Sequence, residues 1–215
     1  MDQLLELFRH LINPQWILNH GGLWLLLFVI FAETGLFVGF FLPGDSLLFV
    51  TGMTVSLNNH ISGFNVWEIV LMTALAGILG NIAGYWFGKK SGPLLFKRKD
   101  SLLFKKKHLI AAHEFYEKHG GMAIVFARFL PFIRTFAPIV AGVVKMEFRK
   151  FIVFNIIGSV AWVCSMILIG FYLGKNIPGL ENHLELIVLG IVVITTAPVL
   201  LRFLFGKKKT AEAKP

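Results

Sequence analysis

Apolar residues fall into five blocks along the chain, at about 23–57, 66–88, 122–144, 151–174 and 184–205, with short polar stretches between them. A helix that crosses the roughly 30 Å hydrocarbon core of a bilayer needs about 20 apolar residues. The blocks at 66–88, 151–174 and 184–205 are therefore predicted to be transmembrane helices. The other two are broken internally. Pro43-Gly44 interrupts 23–57, a run long enough for two half-membrane arms, and Pro131 and Pro138 remove helical hydrogen bonds inside 122–144. Both blocks are predicted to be re-entrant hairpins. Ahead of them, Leu4, Leu5, Leu7, Phe8, Leu11 and Ile12 recur at helical spacing opposite Asp2, Gln3, Glu6, Arg9 and His10, which predicts an amphipathic N-terminal helix over 1–20. It either lies on the membrane or packs on the bundle. No cleaved signal peptide is expected, because Asp2 and Glu6 precede the only fixed positive charge, Arg9.

The pattern repeats. Gly84-Tyr85-Trp86-Phe87-Gly88-Lys89 ends one predicted span and Gly170-Phe171-Tyr172-Leu173-Gly174-Lys175 ends another. Aligning these motifs lays Pro43-Gly44-Asp45 over Phe129-Leu130-Pro131, so that the two hairpin tips coincide. Charge gives the orientation. Lys89, Lys90 and the lysines and arginine from Lys97 to Lys107 follow the second block, and Lys207, Lys208 and Lys209 follow the last, so both clusters are expected on the cytoplasmic side. If 122–144 crossed fully, Arg149, Lys150 and the C-terminal lysines would lie outside; a re-entrant hairpin keeps them all inside. The low positive charge of residues 1–20 leans the N-terminus outward. One glycine motif then ends inside and the other outside, which makes the repeats inverted, an architecture of secondary transporters whose broken helices meet at the midplane.

Composition adds the class. With 56% hydrophobic and 15% charged residues and a mean hydropathy of +0.72, the chain cannot cover itself with a polar surface as a soluble domain does. The fold class is an all-α integral membrane protein: an amphipathic segment over 1–20, one membrane domain over 21–205 and a basic cytoplasmic tail over 206–215. The net charge of +9 belongs to positive-inside loops and anionic lipid surfaces rather than to nucleic acid. Cys164 is the sole cysteine, so no intramolecular disulfide exists. His108, His113 and His119 lack a metal-ligand spacing; no metal site and no cofactor are predicted.

Four charged residues sit where hydrocarbon penalises them. Even on the mildest insertion scale an ionised side chain at the bilayer centre costs about 3 kcal/mol, so Glu33, Asp45, Arg128 and Arg134 must be paired, hydrated or used. Asp45 follows Pro-Gly and has a second reading as a cap of the returning helix. Arg128 has one as a side chain snorkelling to headgroups. Arg134, past the Pro131 break, presents a planar fork that suits a phosphate or a carboxylate; the bland alternative is a fixed bridge to Glu33 or Asp45. Glu33 has no local capping role and is read as protonatable or salt-bridged. The glycines Gly80, Gly84 and Gly88, with Gly170 and Gly174, are read as close-packing positions between helices inside the fold, with homo-oligomer contacts as the alternative.

The stretches Phe31-Ala32-Glu33-Thr34-Gly35, Phe41-Leu42-Pro43-Gly44-Asp45-Ser46-Leu47-Leu48, Phe115-Tyr116-Glu117-Lys118-His119-Gly120-Gly121 and Ala127-Arg128-Phe129-Leu130-Pro131-Phe132-Ile133-Arg134-Thr135-Phe136-Ala137-Pro138, with Ala141-Gly142, resemble the bacterial DedA family over nearly the whole chain. The resemblance implies a VTT-type fold of two inverted units in the bacterial inner membrane. It also implies a role in moving lipids between leaflets, notably undecaprenyl phosphate, and in proton-dependent envelope homeostasis. The family's functional acids fall on Glu33 and Asp45 and its arginines on Arg128 and Arg134. The expected function is a non-enzymatic, proton-coupled flippase or scramblase-like carrier of an anionic lipid, undecaprenyl phosphate or a phospholipid. The arginines would hold the headgroup, and the acids would compete for them. A membrane lipid phosphatase and a proton-coupled ion or drug exporter are the alternatives.

Overall fold

The computed structural model of the protein describes residues 14–36, 39, 42–58, 61–97, 120–177, 179, 186 and 190. The expected elements at 1–13 and 206–215, all of 184–205 but Leu186 and Gly190, and the loop histidines His108, His113 and His119 lie outside these residues. Six helices are present among them: α1 (Pro14–Gly35), α2 (Gly44–Asn58), α3 (Val66–Lys97), α4 (Met122–Arg128), α5 (Pro131–Val143) and α6 (Phe148–Asn176). Three stretches are long and apolar enough to cross a membrane, Pro14–Gly35, Val66–Gly92 and Phe148–Asn176. At 1.5 Å per residue, α4 and α5 reach only about 10 and 20 Å, short of a hydrocarbon core of about 30 Å.

Local sequence explains most helix ends. Asn65 caps α3 by accepting from the Trp67 and Glu68 amides at 3.0 and 3.2 Å, and Glu68 reaches back to the Asn65 amide at 2.8 Å, a reciprocal capping box. The helix runs past the predicted end at 88, since Lys89-Lys90-Ser91 contains nothing that stops it and the Ser91 hydroxyl turns back to the Phe87 carbonyl at 2.8 Å. α5 ends in a Schellman turn: the Lys145 amide donates to the Gly142 carbonyl and the Met146 amide to that of Ala141, with Lys145 at φ 56. That turn reverses the chain directly into α6.

The first helix starts earlier than the apolar block. Pro14 suits a first turn, and Ile17 and Leu18 are buried, so residues 14–20 pack into the bundle. Gly22 then leaves helical geometry at φ 52 and ψ −141, and the Leu23 amide donates to the Ser62 hydroxyl at 3.4 Å in the turn that leads into α3. The block at 122–144 breaks at Phe129-Leu130, with Pro131 opening α5. Pro138 differs from expectation: it lies inside α5, which continues to Val143, so this proline frees one carbonyl without ending the helix.

The helices interlock as two similar halves. α1 packs on α3 and α4 on α6, each first arm against the long helix of its own half. The second arms cross over: α2 packs on α6 and α5 on α3. Glycine makes these crossings possible, because an added Cβ would strike backbone. At Gly52 it would meet the Ile167 carbonyl and at Gly170 that of Phe49; at Gly142 it would meet Tyr85 and at Gly88 Ile139. These pairs equate Gly88 with Gly170, one helical turn away from the register in which the two glycine motifs align. Gly35 and Gly80 bring α1 onto α3 in the same manner.

Two apolar clusters flank a polar layer. Ile69, Val70 and Ala74 of α3 and Val163 and Ile167 of α6 join the larger cluster with α1 and α2, while Tyr85 and Phe151 anchor the smaller one with Ile124 and Ala141. Between them along both long helices come Asn81, Asn155 and Ser159, all buried. Tyr85 also donates from its hydroxyl to the Met146 carbonyl at 2.6 Å, tying α3 to the start of α6.

Gly88 and Gly84 differ sharply in surroundings despite sharing a motif. Alanine at 88 drives a methyl into the Ile139 backbone, whereas at 84 it meets atoms at ordinary contact distance, 3.5 and 3.6 Å. Gly88→Ala is expected to lower stability by about 1–3 kcal/mol and Gly84→Ala to leave it unchanged or slightly raised. Thermal unfolding of the purified protein in detergent, read by loss of monodispersity, distinguishes them; equal melting of the two variants would contradict the α3·α5 crossing.

Candidate functional site

All six helices send residues into the polar layer. Glu33 comes from the last turn of α1 and is 1% exposed, and Gly44 opens α2 directly against it. A Cβ at Gly44 would land on the Glu33 carboxylate, so this glycine allows an acid to sit against the start of α2. Asp45 follows in the first turn. Its Oδ1 is bonded to side chains, Arg134 and Trp162, while α2 is started instead by the Ser46 hydroxyl and Leu47 amide turning to the Pro43 carbonyl. The capping reading of Asp45 is therefore replaced by a bridging one.

Arg134 stands in the first turn of α5, held there by its own amide bond to the Leu130 carbonyl at 2.9 Å. Its Nη1 donates to Asp45 Oδ1 and its Nη2 to Glu33 Oε1. One guanidinium thus spends each prong on a different carboxylate. The two acids come from the first half and the base from the second, so the ion triad joins the tips of the two broken segments.

Arg128 is built differently. It is the last residue of α4 and only 2% exposed, and among the described residues it has no ion pair. Its neighbours are neutral: Nη2 donates to the Ser159 hydroxyl, and Asn155 Oδ1 lies at 3.5 Å. The Asn81 amide lies 3.0 Å from Nη2 and 3.2 Å from the Thr34 carbonyl, and turning its oxygen to the arginine and its nitrogen to the carbonyl satisfies both. Asn81 and Asn155 touch each other at 2.6 Å, and Asn155 Nδ2 donates to the Ile78 carbonyl at 3.2 Å. Snorkelling to headgroups does not describe this side chain. Gly77 gives it room, a Cβ there falling 3.4 Å from Nη2.

Several buried polar atoms find no protein partner among the described residues. They are Glu33 Oε2, Arg128 Nε and Nη1, Arg134 Nε and the hydroxyls of Thr73 and Thr135. A buried N–H left unpaired costs free energy, more when the group is charged. The layer thus retains unused donors on both arginines and one unused acceptor on Glu33. Trp162 of α6 closes the site, its ring centroid 5.4 Å from the Arg128 Cζ and 4.9 Å from that of Arg134. No cluster of three or more metal-ligating side chains occurs among the described residues.

The arrangement has known relatives. Residues 42–172 match the VTT domain family. Protein DedA of Escherichia coli strain K12 is 38% identical over 216 aligned residues, covering 99% of this chain and 96% of the relative. The chain is a DedA-family membrane protein. Membrane protein ML0287 of Mycobacterium leprae is 35% identical over 206 residues, 94% of this chain and 90% of its own. Inner membrane protein YqjA of Escherichia coli strain K12 is 32% identical over 170 residues, 79% of this chain and 74% of its own. No solved structure matches.

In this DedA-family chain the four expected charged residues converge with Gly44. Pro43 and Pro131 lie at the breaks, Pro138 lies within α5, and Gly80, Gly84, Gly88, Gly170 and Gly174 line helix crossings rather than the site. Sequence reasoning missed Asn81, Asn155, Ser159 and Trp162. A signal existed: amides inside predicted spans, and a tryptophan away from the interfacial belts where that residue concentrates.

The two arginines should respond oppositely to removal. Arg134→Leu strands two buried carboxylates and is expected to cost about 3–5 kcal/mol, whereas Arg128→Leu removes an unpaired charge and should be neutral or stabilising by about 1 kcal/mol. Denaturation in mixed micelles measures both. A larger loss for Arg128→Leu would mean that Arg128 carries structure rather than an unfilled site.

Proposed function

We propose that this protein moves an anionic lipid phosphate, undecaprenyl phosphate or a phospholipid, between the leaflets of the bacterial inner membrane, coupled to protons. The observation that carries this reading is Arg128, a fully buried guanidinium with spare N–H donors and only neutral hydrogen-bond partners among the described residues. A charge kept unpaired at that depth is costly unless an anion visits it. A phosphate monoanion or dianion is the natural visitor, since guanidinium donors match its oxygens.

Arg134 gives the reading its coupling. Both of its Nη groups are engaged by Glu33 and Asp45, and they become more available to a phosphate as these acids take up protons. A headgroup would meet Arg128 first and recruit Arg134 second. Protonation of the acids favours capture, and their ionisation reclaims Arg134 and favours release. The same equilibrium read backwards links lipid release to proton loss.

The second broken segment fits a re-entrant hairpin. α4 and α5 are each too short to cross, and the end of α3 and the start of α6 lie side by side through the Tyr85 to Met146 bond, the Trp86 and Phe148 rings at 5.8 Å, and Lys89 over the Trp86 ring at 4.9 Å. Lys89, Lys90, Lys145, Arg149 and Lys150 then share the cytoplasmic face. In a Cys164-free background, cysteines at Met146 and Lys208 are expected to be shielded from an impermeant external thiol reagent and one at Pro178 to label. Labelling at 146 with protection at 178 would overturn the hairpin topology.

Function is tested by leaflet-resolved movement of fluorescent phospholipid and polyprenyl phosphate in proteoliposomes, with free phosphate measured in parallel. Transport without phosphate release is expected. Arg134→Lys keeps the charge but loses the fork, and should slow movement at least tenfold. Glu33→Gln should retain headgroup binding and lose the dependence of transport on pH. Wild-type rate and pH profile in a folded Glu33→Gln protein would remove Glu33 from the coupling, and release of phosphate would indicate an enzyme.

A further inference from the structure

Trp162 touches three of the four charged residues, and its two polar features touch different ones. The ring face lies near both guanidinium groups, and the indole Nε1–H donates to Asp45 Oδ1 at 2.8 Å, the oxygen that Arg134 Nη1 also takes. The side chain is 1% exposed, on the stretch of α6 that carries Ser159 and Asn155 one and two turns earlier. A merely space-filling aromatic would need neither contact.

Each contact answers a physical problem posed by the site. Arg128 is buried among neutral partners, and the quadrupole of an indole face is a source of negative potential that stabilises a cation without occupying its N–H donors. A carboxylate in that place would compete with an incoming anion; a ring does not. Asp45 poses the converse problem. When Arg134 leaves it for a phosphate, an ionised Asp45 would lose its ion partner in a half-buried position, which is unfavourable. The indole N–H remains on Oδ1 and reduces that penalty. Arg134 is thereby easier to release.

Resting on the lipid-phosphate reading above, we propose that Trp162 is the positioning residue of the anion site, its ring standing in for the missing counter-ion of Arg128 and its N–H holding Asp45 while Arg134 changes partners. The two roles separate by substitution. Trp162→Phe keeps a ring and deletes the N–H; Trp162→Leu deletes both.

The test uses the full chain in neutral detergent at pH 8, with dodecyl phosphate as the titrant and binding measured calorimetrically. Trp162→Phe is expected to weaken binding by about tenfold, since Asp45 then grips Arg134 harder. In an Asp45→Asn background the same substitution should have no effect. Trp162→Leu should weaken binding by about tenfold or more in both backgrounds, because the loss at Arg128 does not pass through Asp45. Trp162→Phe serves as the folded reference if the leucine variant fails to elute as a single species, and its Asp45-dependent loss alone then decides the role of the N–H. Wild-type affinity in Trp162→Phe at pH 8, or an equal loss in the Asp45→Asn background, overturns the assignment. Failure of the wild-type protein to bind dodecyl phosphate, or binding undiminished by Arg128→Ala with Arg134→Ala, overturns the phosphate reading itself, and is recognisable without any Trp162 variant.

Discussion

A guanidinium shared between two carboxylates is the contact on which the arrangement of this protein turns. Arg134 meets Glu33 and Asp45 where no water competes strongly, and the three groups come from α5, α1 and α2, elements with little else in common at that depth. Gly44 exists at that position because a methyl group would displace the Glu33 carboxylate. Two acids against one base leave the triad net negative, and Arg128 brings the layer to formal neutrality without pairing with either acid. One end of the layer holds the ion pairs and the other keeps free donors for an anion.

Around this layer the packing is dominated by backbone contact rather than by large side chains. In a bilayer, lipid tails are as apolar as leucine, so helix association depends on close van der Waals contact and on buried polar bonds. Gly52, Gly88, Gly142 and Gly170 bring carbonyls of one helix against the α-carbons of another, at crossings related by the approximate repeat. The larger aromatic and aliphatic side chains collect in two clusters on either side of the charged layer, which shield it along the length of α3 and α6.

Much of this was legible in the sequence. Charged residues in apolar blocks marked Glu33, Asp45, Arg128 and Arg134, and Pro43-Gly44 and Pro131 marked the breaks. What periodicity and composition could not give was partnership. Nothing local distinguishes Arg134, which is paired twice, from Arg128, which is not paired at all, since the difference arises from which helix crosses in front of each. Asn81, Asn155, Ser159 and Trp162 lie in stretches that read as ordinary spans, and their roles come from contacts between distant helices, from 27 residues apart for Arg128 and Asn155 to 117 for Asp45 and Trp162. Pro138 misled for a related reason: a proline weakens a helix locally, yet α5 persists through it because α3 packs along its length. The repeat register also shifted by a turn, since glycine motifs align by letters and helices align by surface.

The crossed arms carry a consequence for biogenesis. Asp45 waits for Trp162, 117 residues further along, and α2 has its main packing surface on α6, the last of the described helices to be made. At ribosomal speeds of about 5–20 residues per second, that interval is on the order of ten seconds, during which the first broken segment sits in the membrane with a charged tip and no second half to receive it. The crossed packing therefore closes only once α6 has been made, and a nascent first half is the form most exposed to membrane quality control.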